Sequence, residues 1–339
     1  MRLALGAACA AAAAATAAIA LATRARSALT YRLAPGSMRG LRAVVTGATS
    51  GIGLATASAL AAAGAELVVL AARDARAGEA ACAAVRARAA RGCVVLCAPL
   101  ELTSAASVRD FADAYVARHG QLDVLVCNAG AMLRAREVAA EFGGAERTYA
   151  IFLGHALLLR RLEPALAASR RERPDARPRV VHVVSSLERR APALLDAAGQ
   201  LRVDDALAPR AFSTTGAYAT AKCAQLAYVQ ELQRRRGAEL VSVAVSPGVV
   251  NTRLDRFLPS PQRAIAHVLK PLLLRTAAKG AETVLYAMSA PASVVAGAYL
   301  RDCAPLRPSA QASSALFADR VWRHAEQVCD AALAGAPRA

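Results

Sequence analysis

Tyr218 and Lys222 stand four residues apart in the stretch YATAK. At that spacing two side chains share one face of a helix. A phenol ordinarily ionises near pH 10, too high for proton transfer at neutral pH. An ammonium a few ångströms away favours the phenolate and lowers that pKa. The tyrosine then donates a proton to a carbonyl oxygen or takes one from an alcohol. The lysine is informative because the chain so rarely uses one. Of its 42 basic residues only Lys222, Lys270 and Lys279 are lysines. A compact ammonium with three donors serves the tyrosine and a sugar hydroxyl together, which a planar guanidinium does less well.

A second chemical element lies in RAVVTGATSGIGLATASALAAAGAELVVLAARD, residues 42–74. The apolar run Ala43–Val45 enters a turn carrying Gly47, Gly51 and Gly53. A helical pattern follows, and then a second apolar run at Leu67–Ala71. Glycines let such a turn close tightly and let backbone N–H groups approach a pyrophosphate at the helix N-terminus. A strand before the turn and a helix after it make this a dinucleotide-binding reading. Arg73 stands where the second strand ends. A guanidinium there suits a 2′-phosphate, so NADP(H) is preferred over NAD(H). The competing reading of Arg73 is a surface pair with Asp74.

These residues need elements to hold them. Strand candidates recur at residues 92–98, 122–127, 179–184 and 240–245, with helical patterns between. Such alternation predicts an α/β fold, a doubly wound (Rossmann), mostly parallel sheet flanked by helices. The reading is one domain over residues 40–330, with no internal repeat and a tail at 331–339. The polar, proline-bearing insert 169–178 reads as an exposed loop.

The 339 residues are 56% hydrophobic, enough for a sizeable core, and carry a net charge of +17. The positive charge is scattered, without aromatic interleaving or zinc-finger spacing, so a solvated surface is expected rather than a nucleic-acid partner. The eight cysteines form no CxxC pair and fit neither a metal nor a disulfide framework. They read as reduced thiols.

Residues 3–22 are uncharged, and five arginines follow between Arg24 and Arg42 before the first acidic residue, Glu66. Twenty apolar residues match a bilayer's hydrocarbon core, although alanine makes the span marginal. The positive flank after it favours a main domain on the cytoplasmic side. Residues 1–35 thus read as a membrane anchor, placing the protein on the endoplasmic reticulum or a similar membrane with its catalytic domain facing the cytosol. A mitochondrial or plastid transit peptide and a cleaved signal are the alternatives.

Five motifs stand in order: TGATSGIG, CNAG at 127–130, VVSS at 183–186, YATAK, and SPGVVNT at 246–252. Together they resemble the short-chain dehydrogenase/reductase family over residues 40–330. AARDARAGEAA, FLGHALL, KGAETVLYA and GAYLRDC are similar to its retinol-dehydrogenase-like branch, which includes WW-domain-oxidoreductase-like and polyprenol-acting members. The resemblance implies Tyr218 as acid/base, Lys222 as its partner and holder of the nicotinamide ribose, and Ser186 on the substrate oxygen, with Ser185 the alternative. It implies cofactor contacts at Gly47, Thr49, Ser50, Gly51, Ile52, Gly53 and Arg73. Glu101 lies near the adenine, where the family usually has aspartate. Asn128, Ala129 and Gly130 lie beside the cofactor, and Pro247, Gly248, Val249 and Thr252 near the nicotinamide. It further implies a lipophilic alcohol or carbonyl of retinoid, steroid or polyprenoid class, and a homodimer as a possible assembly.

Two positions depart from the pattern. Ile151 occupies the place of an asparagine that holds a relay water, and Cys127 replaces the first asparagine of NNAG. They motivate an alternative: a cofactor-binding, catalytically impaired member acting as an interaction protein. His155, one helical turn from Ile151, reads as a packing histidine. The apolar and basic segment 253–280 reads as a substrate lid, with ordinary helices packed on the core as its competing reading.

Overall fold

The computed structural model describes residues 30–250 and 275–335. Ten strands and nine helices make up these residues. The strands are β1 (Arg42–Thr46), β2 (Leu67–Ala72), β3 (Val94–Pro99), β4 (Val124–Cys127), β5 (Val138–Ala139), β6 (Ala145–Glu146), β7 (Arg179–Val183), β8 (Val241–Val245), β9 (Tyr299–Arg301) and β10 (Ala304–Pro305). The helices are α1 (Gly51–Ala62), α2 (Ala75–Arg86), α3 (Ala105–His119), α4 (Arg147–Glu172), α5 (Val203–Ala206), α6 (Thr214–Arg236), α7 (Ala277–Ser289), α8 (Ala292–Val295) and α9 (Ala315–Ala334).

Eight strands form one sheet in the order β10-β9-β8-β7-β4-β1-β2-β3. Every pairing is parallel except β9–β10. β5 and β6 pair separately as an antiparallel hairpin. The central strands are continuous apolar runs because helices cover both faces: β2 is buried along its whole length, as are β4 and β8. Alternate residues feed two cores. Val44, Leu125 and Val180 join the layer of α3, α4, α6 and α9, whereas Val45, Val126 and Val181 join that of α1, α2 and α7. Strand order reverses between β1 and β4, so a crevice opens beyond their carboxyl ends. Gly47 and Asn128 lie there.

The expected strands are all present, and the expected fold class is the observed one. The insert is different. α4 continues through Glu172, and buried Ser169 and Arg173 both bond the Asp123 carboxylate. A buried carboxylate requires such partners, and this holds the first half of the insert against the domain. α9 likewise runs past residue 330 to Ala334. Its Trp322, the chain's one tryptophan, stacks on Tyr228 with ring centroids 4.9 Å apart and lies 5.2 Å from the Arg235 guanidinium.

Tyr31, inside the segment read as an anchor with its flank, bonds Ser289 at 2.6 Å and packs edge-on against Tyr286. No helix among the described residues is long and apolar enough to cross a membrane. The candidate span at 3–22 lies outside them, as do Thr252, most of the 253–280 lid, and residues 336–339 of the tail.

Candidate active site

The glycine turn shows why Gly47 and Gly53 are required, while Gly51 has φ of +59°. Gly47 has φ of +63°, and a Cβ there would lie 2.9 Å from the Ala129 Cα. A Cβ on Gly53 would lie 2.5 Å from both the Asn128 Nδ2 and the Gly47 carbonyl oxygen. The turn leads into α1, whose N-cap residue Ser50 makes no side-chain cap and whose first turn has no acidic residue. The first N–H groups of α1 therefore keep their capacity for an anion. Thr49 precedes the N-cap and Ile52 lies in the first turn of the helix. A dinucleotide's pyrophosphate fits this cradle.

At the end of β2, Arg73 is two-thirds exposed and lies 3.5 Å from Glu101, not against Asp74. Asp74 instead caps α2 by accepting from Ala77 N at 2.8 Å. Arg147 approaches Glu101 from the other side at 3.6 Å. Burial pushes the Glu101 carboxyl up, but hydrogen bonds from Thr103 and the two guanidiniums outweigh it and hold the pKa below its ordinary value. Two cations thus flank one carboxylate at the edge of the crevice. Arg147 escaped the sequence reading because nothing in its local pattern brings it here.

Asn128 ties the crevice together. Its Nδ2 donates to the carbonyl of Thr46 at 2.8 Å and to that of Gly47 at 3.3 Å. The Thr46 hydroxyl oxygen accepts from the backbone N–H of Asn128 at 2.9 Å and of Ala129 at 3.0 Å. It also lies 2.9 Å from His155 Nε2. Thr46 and His155 are therefore polar parts of the site's floor. A histidine on a buried helix face must find a partner, and that was the available signal.

Tyr218 and Lys222 lie on α6, whose N-cap Ser213 accepts from Gly216 N at 3.0 Å. The Lys222 Nζ sits 5.7 Å from the Tyr218 ring centroid. It is buried and donates to the Val183 carbonyl and to Gln225 Oε1, each at 2.8 Å. Burial lowers the ammonium's pKa to about 8, against a smaller opposing effect of Cys127. Burial also pushes the Tyr218 phenol up to about 12, with the Ser185 hydrogen bond pulling the other way. The expectation that Lys222 draws the phenol down is not met in this geometry, because burial disfavours the charged form of both groups.

The two serines of the pair hold different positions. β7 ends at Val183, and Ser185 caps the 3-10 turn Ser186–Arg190 while hydrogen-bonding Tyr218. Ser186 belongs to the turn itself. Gly130 meets the group as well, since a Cβ there would lie 3.7 Å from the Lys222 Nζ. On the far side, Gly248 has φ of +79° and Val249 is 66% exposed. The carbonyl of Val249 accepts from Arg275 N at 3.1 Å, and Arg275 pairs with Asp302. Pro247 precedes this turn after β8. Ile151 lies on α4, facing the same small cavity as Tyr218 and Lys222.

The short chain dehydrogenase family model matches residues 42–161. A mouse polyprenol dehydrogenase is 37% identical over 83% of this chain and 81% of its own length. Human retinol dehydrogenase 12 is 32% identical over 82% of this chain and 83% of its own. An NADH-dependent reductase, A1-R', solved with NAD, superposes with a TM-score of 0.56. It covers 78% of this chain and 95% of its own at 20% identity, a likeness of fold.

Proposed function

Because the chain belongs to the short-chain dehydrogenase family, in its retinol-dehydrogenase-like branch, we propose that it interconverts a lipophilic alcohol and its carbonyl with NADP(H). Retinoid, steroid and polyprenoid compounds are the substrate class. The observation that carries this reading is the meeting of Ser185, Tyr218 and Lys222 beside Asn128 and the glycine cradle.

The nicotinamide, when bound, supplies or accepts the hydride. The chain's residues handle the proton and the binding. Ser185 hydrogen-bonds the substrate oxygen and orients it toward Tyr218. Tyr218 gives its proton to that oxygen in the reducing direction and takes it back in oxidation. Lys222 places positive charge beside the phenol and holds a ribose hydroxyl. Asn128 keeps the ends of β1 and β4 in register so that the cradle and the proton donor face one crevice. Arg73, with Arg147 behind it, supplies the cationic end for a 2′-phosphate, which supports NADP(H) over NAD(H). Ser185 takes the role that the family resemblance implies first for Ser186. Val249, Pro247 and Gly248 line the nicotinamide end, with Thr252 beyond the described residues.

We place the protein on a membrane through residues 1–35, with the domain on the cytosolic side, as a lipophilic substrate favours. Ile151 beside Lys222 is what favours the second reading, a cofactor-binding protein without turnover. NADPH oxidation against retinal, steroid ketones, polyprenals and small quinones separates the two. Turnover that disappears in Tyr218→Phe supports the oxidoreductase. Tight NADPH binding without turnover on any of them, unchanged by Tyr218→Phe, supports the second.

A further inference from the structure

The turn after β8 is braced by a residue from another part of the chain. Gly248 has φ of +79°, and a Cβ built on it would lie 3.1 Å from each of the Arg275 Cζ, Nε and Nη1 atoms. A point equally far from three atoms of a planar group lies over its face, so the guanidinium of Arg275 lies flat against Gly248. The backbone repeats the attachment. Val250 and Arg275 form a parallel bridge, and Arg275 N donates to the Val249 carbonyl. The Arg275 side chain is only 12% exposed, so its charge needs a partner.

That partner is Asp302, whose Oδ1 accepts from Arg275 Nη1. Arg301 Nε stands farther off, 3.7 Å from Asp302 Oδ2. Burial pushes the Asp302 carboxyl up, but Arg275, Arg301 and Lys279 outweigh it and hold the pKa below its ordinary value. Asp302 and Cys303 form the two-residue turn between β9 and β10, with φ of +56° and +57°. A hairpin turn with both central residues left-handed usually takes asparagine or aspartate and then glycine. Cysteine in the second place is strained, and such a conformation persists where the surroundings impose it.

Those surroundings include α7. Cys303 N donates to the hydroxyl of buried Thr283 at 3.3 Å. On the same helix, a Cβ on Gly280 would lie 2.7 Å from Val250 Cγ2 and 3.2 Å from Ile52 Cγ1. The start of α7 is thus wedged between the turn after β8 and the first turn of the cradle helix α1. Hairpin, α7, α1 and the turn at Gly248 form one packed circuit. The Arg275–Asp302 pair is the side-chain link from the hairpin to the turn.

We propose that Asp302, acting through Arg275, is a positioning residue that fixes the turn Pro247–Val249 and so sets where a nicotinamide ring lies relative to Tyr218. The inference rests on the oxidoreductase reading for its effect on turnover, but not for its effect on a bound nicotinamide. It gives the motif GAYLRDC, residues 297–303, a part in the site. The strained turn holds the carboxylate where the guanidinium can meet it, and the guanidinium in turn leaves Gly248 no room to shift.

Two substitutions separate the link from the turn that carries it. Asp302→Asn and Asp302→Gly both accept a left-handed backbone, and both remove the carboxylate. In the full chain each lowers kcat about tenfold through a misplaced ring and changes the NADPH Kd by less than about threefold. The kinetic isotope effect with NADPH deuterated at the transferred position rises, because hydride transfer becomes the slower step. Arg275→Lys keeps the charge without the flat fork and shows a smaller loss. Arg275→Met combined with Asp302→Asn loses no more than either alone, as expected of partners in one contact. The emission anisotropy of bound NADPH reads the ring without turnover, and it falls in both Asp302 variants. A residue that only builds the hairpin predicts otherwise: glycine relieves the turn, so Asp302→Gly would keep the parent's kcat and anisotropy. That result, or an anisotropy unchanged in both variants, overturns the proposal. No turnover in the parent chain, with the anisotropy still falling, overturns the oxidoreductase reading and leaves the positioning by Asp302 standing.

Discussion

The two ends of the crevice are built on opposite principles. At the phosphate end the protein contributes backbone: glycines that leave no room for a Cβ, an uncapped helix start, and cations open to solvent. At the proton end it contributes buried side chains, with Lys222 enclosed and neighbouring histidines, cysteine and tyrosine all pushed toward neutrality. The difference teaches where substitution is tolerated. A backbone cradle depends on residues that are absent, so any added atom is a clash. A buried network depends on who donates to whom, so one residue can be exchanged if another takes its bond.

The sharpest test of that contrast is Tyr218→Phe. It removes the hydroxyl proposed to give the proton without touching the cradle, so turnover falls by about 10^3-fold while NADPH binding, followed by its fluorescence, is retained. Gly53→Ala does the converse. Its Cβ would lie 2.5 Å from the Gly47 carbonyl, and overpacking against backbone costs about 1–3 kcal/mol. Its NADPH Kd accordingly rises about ten- to a hundredfold, measured by titration. Arg73→Ala weakens NADPH binding about tenfold and leaves NADH binding unchanged, a modest effect because the guanidinium is 67% exposed and screened. Equal loss for the two cofactors would remove Arg73 from the phosphate end.

The pH dependence of stability isolates the buried end. The Lys222 pKa is depressed in the fold, from 10.5 to about 8. Between those values the unfolded chain binds more protons than the native one, so stability from this group rises with pH. Below about 8 its buried charge costs the most. Urea unfolding between pH 7 and pH 10 therefore shows a positive slope that is reduced in Lys222→Met. The smallest effect is expected of Ile151→Asn. Because Gln225 and the Val183 carbonyl already hold Lys222, turnover changes by less than about threefold, under 1 kcal/mol of barrier. A tenfold gain would mean that the bond Ile151 cannot make is still missed.

The cradle was legible in the sequence because it is local: a strand, a glycine turn and a helix are contiguous. The central strands were legible because both their faces are buried, leaving unbroken apolar runs. β9 and β10 were not, since they are three and two residues long and joined through Asp302 and Cys303 at positive φ without a glycine to mark the turn. The buried end was half legible. Tyr218 and Lys222 announce themselves by spacing, but the different positions of Ser185 and Ser186 depend on where β7 stops. Thr46, His155 and Gln225 come together from β1, α4 and α6, and no pattern within any one segment marks that meeting. Gln225 did offer a local sign, standing three residues after Lys222 on the same helix face.

The stack of Trp322 on Tyr228 also has an optical consequence. Tyr228 packs in turn against Phe152 and His182, so the chain's sole indole reports from the α9 side of the sheet. The α1, α2 and α7 side has no such chromophore. Tryptophan emission and far-ultraviolet dichroism therefore watch different parts of the molecule. Were the C-terminal helix to detach before the sheet melts, the two signals would part without any label being attached.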